Sequence, residues 1–180
     1  MSWLPTISLS EPIFLTLVRA FYSKVRFFVG GPISCTLRGA EIELDADVIC
    51  RVLGVLAVEL RVYEFKTCLI VLDFIVWEVV QRHCGLPNTN RLGKSSTNNL
   101  TTISRVLHHL ICYLLMPKGG HQDEVSYLET FLIDLILIGW WIHPSYIMIQ
   151  HMIVCYQTKT WVFPCDRFLT KVLNEYSLPY

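Results

Sequence analysis

The most apolar candidate helix of the chain runs from Asp123 to Gly139. Between Tyr127 and Ile138 its polar residues are Glu129, Thr130 and Asp134. A helix with so little polar surface has to be covered on most sides. We therefore expect it to be a buried central helix against which the other elements pack.

Two residues are candidates for the start of this central helix. Asp123 is one, and Ser126 is the other, because Glu129 follows it at the spacing of a capping box. Gly139 is the predicted stop, since glycine takes the left-handed conformation that often ends a helix. Asp134 should either reach the helix edge or accept a charge-assisted hydrogen bond, because an unpaired buried carboxylate is costly.

Shorter elements are predicted before the central helix. Ser10 can cap a first helix with Pro12 in its first turn, and the apolar stripe of this helix is Phe14, Leu17, Val18, Phe21, Tyr22 and Val25. Apolar and polar residues then alternate on both sides of Gly39, from Ile33 to Leu44, which predicts a small β-hairpin. Asp45 should cap a short helix that Gly54 closes.

The middle of the chain is less regular. Cys68 to Val80 is compatible with a buried strand or a helix, and its thirteen residues favour a helix, which His83 to Pro87 should end. Asn88 to Asn99 is polar and aperiodic, which predicts one long loop.

Thr101 caps the next helix, whose predicted core stripe is Ile103, Val106, Leu107, Leu110, Ile111 and Leu114. Helices from Ser145 to Tyr156 and from Phe168 to Tyr176 should complete the chain.

These elements predict a mainly α fold, a compact helical domain of about six to seven helices around the central helix. A chain of 180 residues is expected to form a single domain over residues 1–180. The longest apolar windows contain charged residues, histidine or proline, so we expect a soluble protein and no membrane segment. Seven cysteines without a C-x-x-C pair and no leader pattern predict a reduced, intracellular chain, in the nucleus or cytoplasm.

The sequence contains no Walker loop, nucleophile elbow or paired metal-binding carboxylate motif. The most specific metal pattern is a repeated His-x-x-x-Cys, at His108 with Cys112 and at His151 with Cys155. Two such helices could supply four zinc ligands. Core cysteines beside partly exposed histidines explain the same pattern, and we expect no cofactor, no tightly bound metal and no catalytic residues.

Two groups of residues are candidates for binding. The net charge is zero, but no acidic residue occurs between Glu78 and Asp123, where the cations are Arg82, Arg91, Lys94, Arg105 and Lys118. This basic segment could contact nucleic-acid phosphates, or its charges could balance acidic residues elsewhere in the fold. Trp140 and Trp141 lie in a short connector, where we expect one ring to pack inward and the other to be exposed to a protein partner or a second copy.

Several stretches together resemble one family, a plant transposon protein domain found in retroelement-derived open reading frames. They are LVRAFYSKV (17–25), GAEIELDADVICRVLGV (39–55), LTTISRVLHHLICYLLMPKGGHQDEVSYLETFLIDLILIG (100–139) and HPSYIMIQHMIVCYQTKTWVFPCDRFLTKVL (143–173). None of these motifs is catalytic. The resemblance implies a helical domain of transposon origin whose molecular function is unknown. Trp140 and Trp141 depart from the family pattern, and a truncated or decayed copy is an alternative.

The sequence therefore predicts a non-enzymatic structural or interaction domain derived from a plant transposon or retrotransposon. A nucleic-acid-binding domain that uses the segment from Arg82 to Lys118 is the alternative from another functional class. An inert relic of a mobile element is the third.

Overall fold

The computed structural model describes residues 13–27, 32–57, 61, 63, 76–84, 95–120, 122–158 and 163–176. The fold is mainly α with a small three-stranded antiparallel sheet near the N-terminus, which confirms the predicted fold class. In chain order the elements are α1 (Leu15–Lys24), β1 (Arg26–Phe27), β2 (Ile33–Leu37), β3 (Ala40–Leu44), α2 (Ala46–Leu53), α3 (Val76–Cys84), β4 (Ser95–Ser96), a 3-10 turn (Thr97–Asn99), α4 (Thr102–Leu110), a π-helical turn (Ile111–Leu115), β5 (Glu124–Val125), α5 (Tyr127–Leu137), α6 (Pro144–Gln157) and α7 (Asp166–Glu175).

The contacts within the chain define two compact units. The first unit comprises Met1–Ala57 and Pro144–Tyr180, and the second comprises Val58–His143. The single domain over residues 1–180 stays a prediction. Among the described residues, no helix combines the length and the hydropathy that a membrane crossing requires.

In the first unit, the predicted hairpin is confirmed. Strands β2 and β3 pair antiparallel with Cys35 opposite Ile42, and the inward residues of both strands are buried. Arg38 and Gly39 connect the strands with positive φ angles of 51° and 85°, as a tight two-residue hairpin turn requires. The short strand β1, which the sequence did not predict, pairs with β2 and completes the sheet.

Helix α1 begins later than predicted. It starts at Leu15 after a non-helical Phe14, so a start at Ser10 is wrong. Ser10 and Pro12 themselves lie outside the described residues. The inward face of α1 is apolar as predicted, with Val18 and Phe21 both 0% exposed. Helix α1 packs against β2 and α7.

The caps of the next helix, α2, match the sequence. The Asp45 carboxylate accepts a hydrogen bond from the Val48 N–H at 2.7 Å, which begins α2. Gly54 has φ 65° and closes it. The cap residues thus set both ends of α2.

In the second unit, α5 is the buried central helix that the sequence predicts. Its residues from Glu129 to Leu135 are all buried, and α3 and α4 pack against it. Ser126, and not Asp123, caps it through a complete capping box with Glu129. Gly139, at φ 80°, ends it in a Schellman motif in which the Trp140 N–H donates to the Leu135 carbonyl at 2.9 Å.

The segment between α3 and α4 is more ordered than the predicted loop. Ser95 and Ser96 form β4 and pair antiparallel with β5, and the 3-10 turn follows directly. Residues 88–94 lie outside the described residues. In the ambiguous segment from Cys68 to Val80, residues 76–80 are helical, and the remainder lies outside the described residues.

Helix α4 and the π-helical turn after it bury only part of the predicted stripe: Ile111 is buried as predicted, whereas Leu107, Leu110 and Leu114 are half-buried. Ile103 is 65% exposed and Val106 is 55% exposed, whereas Ser104, His108 and Cys112 are buried. The predicted core stripe is therefore wrong for α4 at Ile103 and Val106. Polar groups occupy the inner face because the buried Glu129 carboxylate requires the donor that His108 supplies, and Ser104 contacts the ring of His83, which faces Asp134.

Candidate functional site

Helix α5 carries two acidic residues into the interior of the second unit. Glu129 is 0% exposed and Asp134 is 6% exposed. A carboxylate removed from water in this way has to be compensated by nearby donors or cations. Helices α3 and α4 and the segment that follows α4 supply these groups.

The Asp134 cluster combines α3, α4 and α5. The Oδ1 atom of Asp134 lies 2.6 Å from Nη1 of Arg82 and 3.1 Å from Nε2 of His83. The other ring nitrogen of His83 lies 3.2 Å from Oγ of Ser104, which accepts a hydrogen bond from the Thr101 hydroxyl at 2.8 Å. The charge-assisted hydrogen bond predicted for Asp134 is confirmed.

The Asp134 cluster extends from α5 through His83 to the N-terminal end of α4. The Thr101 hydroxyl donates to Ser104, and the two ring nitrogens of His83 lie within hydrogen-bond distance of the Ser104 hydroxyl and of the Asp134 carboxylate. A hydroxyl, an imidazole and a carboxylate are also the components of a hydrolase triad. Here Ser104 and His83 are each 1% exposed, so the serine does not face a solvent-accessible substrate position.

The Glu129 cluster joins α4 to the N-terminus of α5. Oε2 of Glu129 lies 3.2 Å from Nε2 of His108 and accepts the Ser126 N–H at 2.8 Å. Oε1 lies 2.5 Å from Nζ of Lys118. Sγ of Cys112, one turn after His108, lies 3.4 Å from the same Nε2 atom.

These contacts change the acid–base properties of two residues. Burial alone would raise the pKa of Glu129. Hydrogen bonds from His108, Lys118 and the Ser126 N–H, together with the charge of Lys118, outweigh the effect of burial and lower this pKa from 4.5 to about 2. Burial, followed by the Glu129 charge, raises the pKa of Cys112 to about 12. Glu129 is therefore a carboxylate and Cys112 a thiol at neutral pH, and this thiol is a poor nucleophile.

Comparison with protein families gives the ancestry of this fold. The model of the plant retrotransposon-related domain matches residues 1–179. The chain belongs to this family. The resemblance predicted from the sequence is thereby confirmed, as is the transposon origin. No curated protein and no solved structure is significantly similar to the chain.

The retrotransposon-related domain engages three of its five candidate phosphate-binding cations in contacts of its own. Arg82 pairs with Asp134 while its side chain stays 54% exposed. Arg105 donates to the carbonyls of Thr97, Asn98 and Leu100. Lys118 pairs with Glu129. Arg91 and Lys94 lie outside the described residues, and phosphate binding by the basic segment stays a prediction.

The adjacent residues Trp140 and Trp141 do not divide into one inward and one outward ring. Trp140 is 46% exposed and Trp141 is 45% exposed, so that expectation is wrong. The Schellman motif explains the difference, because it fixes Trp140 at the turn that ends α5 rather than in an extended connector. Both rings remain candidates for contact with a partner.

The two His-x-x-x-Cys pairs of the domain lie in different units. His151 Nε2 and Cys155 Sγ are 3.5 Å apart on α6 in the first unit. In the second unit, His108 is 0% exposed, and not partly exposed as predicted. Glu129, His108 and Cys112 place one potential metal-ligand atom each within 4.8 Å of one another. Sequence reasoning missed this grouping, although a capping-box glutamate in a buried helix signals that a donor must approach it.

Proposed function

We propose that this retrotransposon-related domain is a non-enzymatic structural and interaction module and that the outer face of α4 binds a second copy of the chain. The observation that carries the proposal is an apolar stripe on that face, here called the outer stripe. On α4 it consists of the exposed residues Ile103 and Val106 and the half-buried residues Leu107 and Leu110, and it continues in the π-helical turn with the exposed Tyr113 and the half-buried Leu114.

The spacing of the outer stripe suits contact with another helix. Ile103, Val106 and Leu110 follow one another within α4 at intervals of three and four residues, and Tyr113 lies beyond them in the π-helical turn. This is the alternation by which helices pack side by side in a coiled-coil seam. An apolar face of this kind on a folded chain is typical of an interaction surface.

The charge distribution favours a second copy as the occupant. Between Thr102 and Leu115 the sequence contains a single formally charged residue, Arg105. Its guanidinium donates hydrogen bonds to three carbonyls of its own chain. Two copies can therefore meet face to face around a twofold axis without like-charge repulsion. A nucleic acid or a strongly charged peptide would find no opposite charge on the outer stripe.

The interior of the second unit supports a non-enzymatic role. Two of its histidines, His83 and His108, are 1% and 0% exposed, and each contacts a buried carboxylate of α5. Groups that act on a substrate have to reach it through a cleft. These polar groups instead hold three helices together.

Sedimentation equilibrium of the full chain over a wide concentration range tests the proposal. The outer stripe covers few helical turns, so we expect a weak dimer rather than an obligate one. Replacing Ile103 and Val106 together by glutamate should abolish the dimer, because two like charges would face their copies. Thr102→Glu is the matched control, since Thr102 is exposed on the same helix and an acidic residue is favourable in a first turn.

The results separate the proposed function from its alternative. A concentration-dependent dimer that the double variant loses and Thr102→Glu retains supports the outer stripe. A wild-type chain that remains monomeric at high concentration contradicts it. A salt-dependent binding of single-stranded or duplex DNA that is weakened by Arg82→Gln would favour the nucleic-acid alternative.

A further inference from the structure

We propose that His108, Cys112 and Glu129 bind one divalent transition-metal ion of the zinc class. The three side chains converge from two packed helices. Nε2 of His108 lies 3.2 Å from Oε2 of Glu129 and 3.4 Å from Sγ of Cys112. All three ligand atoms lie within 4.8 Å of one another, and all three residues are buried.

These distances agree with the dimensions of a tetrahedral site. Zinc binds nitrogen and oxygen at about 2.0–2.2 Å and sulfur at about 2.3 Å, which places tetrahedral ligands about 3.3–3.8 Å apart. The 3.4 Å distance from His108 Nε2 to Cys112 Sγ lies in that range, and the 3.2 Å distance to Glu129 Oε2 is just below it. The ligand atoms lie no more than 4.8 Å apart, so side-chain movements of about 1 Å bring all three into range. The π-helical turn that begins at Ile111, directly before Cys112, is a distortion often found at functional sites.

The chemical nature of the three ligands selects the class of metal. One sulfur, one imidazole nitrogen and one carboxylate oxygen suit zinc or cobalt, whereas magnesium and calcium prefer sites made of oxygen ligands. Three protein ligands also leave a fourth position for water or another small ligand.

Metal binding at this site conserves charge and protons. The Cys112 thiol loses its proton to solvent, and the ring proton of His108 moves from Nε2 to Nδ1. The two positive charges of the ion are then matched by the Cys112 thiolate and the Glu129 carboxylate. One proton is released for each ion bound.

Lys118 is the competitor of the metal. Its ammonium group now lies 2.5 Å from Oε1 of Glu129, and its side chain is 25% exposed. When a divalent ion takes over the charge compensation of Glu129, this lysine can turn toward solvent. A variant without the ammonium should therefore bind the metal more tightly than the wild type.

His108 limits the affinity of the site. Within the described part of the chain, its Nδ1 atom has no hydrogen-bond partner. Ligating histidines usually donate the other ring N–H to an acceptor. The proton that moves to Nδ1 has no such acceptor, so we expect reversible binding that a chelator removes, in keeping with the prediction that no metal is tightly bound.

Titration of the purified full chain with cobalt(II) provides the test. A cobalt ion bound to thiolate shows a sulfur-to-metal charge-transfer band that ligation by nitrogen and oxygen does not give. We expect this band in the wild type, with release of one proton per ion. Cys112→Ser should remove the band, and Lys118→Met should strengthen cobalt binding about tenfold.

Cys155→Ser is the matched control, because Cys155 is also buried and also follows a histidine by four residues. It should leave the band unchanged. Circular dichroism of each variant checks that it is folded. Absence of the band in the wild type, its loss in Cys155→Ser rather than Cys112→Ser, or weaker cobalt binding by a folded Lys118→Met would each overturn the proposal.

Discussion

Helices α1 and α4 carry the same kind of apolar stripe, but α1 buries the centre of its stripe whereas α4 leaves two stripe residues exposed. In α1, Val18 and Phe21 are 0% exposed, and the cation Lys24 lies on the exposed side. In α4, Ile103 and Val106 are more than half exposed, and the polar residues Ser104 and His108 are buried. Apolar periodicity therefore predicts both helices, but it predicts the buried residues correctly for α1 and not for α4.

The difference follows from what each helix packs against. The described neighbours of α1, strand β2 and helix α7, offer a largely apolar surface. Helix α4 packs against α5, where Glu129 and Asp134 are buried. Burying an apolar side chain of α4 would contribute about 1.5–3 kcal/mol. Removing one partner of a buried ion pair costs about 3–5 kcal/mol, so the contact of His108 with Glu129 outweighs the burial of any single exposed stripe residue.

Truncation of one residue from each stripe should give the largest contrast. Phe21→Ala in α1 is expected to lower the free energy of unfolding by about 3–5 kcal/mol, because it leaves a cavity in a packed core. Ile103→Ala in α4 should change it by less than about 0.5 kcal/mol, as expected for an exposed position. Urea unfolding measures both, and equal losses in the two variants would remove the distinction between the helices.

Neutralising Glu129 should lower the free energy of unfolding by nearly as much as Phe21→Ala. Glu129→Gln retains the side-chain size but leaves His108 and Lys118 without their anion, and we expect a loss of about 3 kcal/mol in unfolding free energy. Glu41→Gln is the control, since Glu41 is exposed on β3. If both variants shift the urea midpoint by the same small amount, Glu129 does not hold α4 in its orientation.

The stability of the wild type should fall in acid. The pKa of Glu129 is lowered from 4.5 to about 2 in the folded chain, so its contribution is fully present above 4.5 and is lost as pH falls toward 2. The shift corresponds to about 3 kcal/mol. The stability difference between the wild type and Glu129→Gln should therefore close between about pH 5 and pH 2. A difference that stays constant over this range would contradict the lowered pKa.

The helix-ending glycines should show a smaller effect that is similar in both units. Gly54 and Gly139 have φ angles of 65° and 80°, and an added Cβ at either position meets no atom within 4 Å. Alanine there should cost about 1 kcal/mol through backbone strain alone. Thermal unfolding of Gly54→Ala and Gly139→Ala checks this, and an unchanged midpoint would argue against the left-handed caps.

Local signals in the sequence predicted much of the fold. The caps at Asp45, Thr101 and Ser126 and the stops at Gly54 and Gly139 depend on interactions within a few residues, and the structure contains all five. The buried central helix was predictable because it has almost no polar face.

The candidate site was less predictable because it depends on tertiary pairing. Contact between His108 and Glu129 joins residues 21 positions apart, and contact between His83 and Asp134 joins residues 51 apart. No local pattern specifies which helix approaches which carboxylate. Apolar spacing consequently predicted the wrong buried residues for α4.

A double-mutant cycle on His108 and Glu129 tests most directly whether the buried Glu129 carboxylate orients α4. The unfolding free energies of the wild type, His108→Ala, Glu129→Gln and the double variant are compared, together with a control cycle in which Ile103→Ala replaces the histidine change. We predict a coupling of about 1.5–3 kcal/mol between His108 and Glu129 and none between Ile103 and Glu129. Additive effects of the His108 and Glu129 changes would contradict this explanation of the orientation of α4.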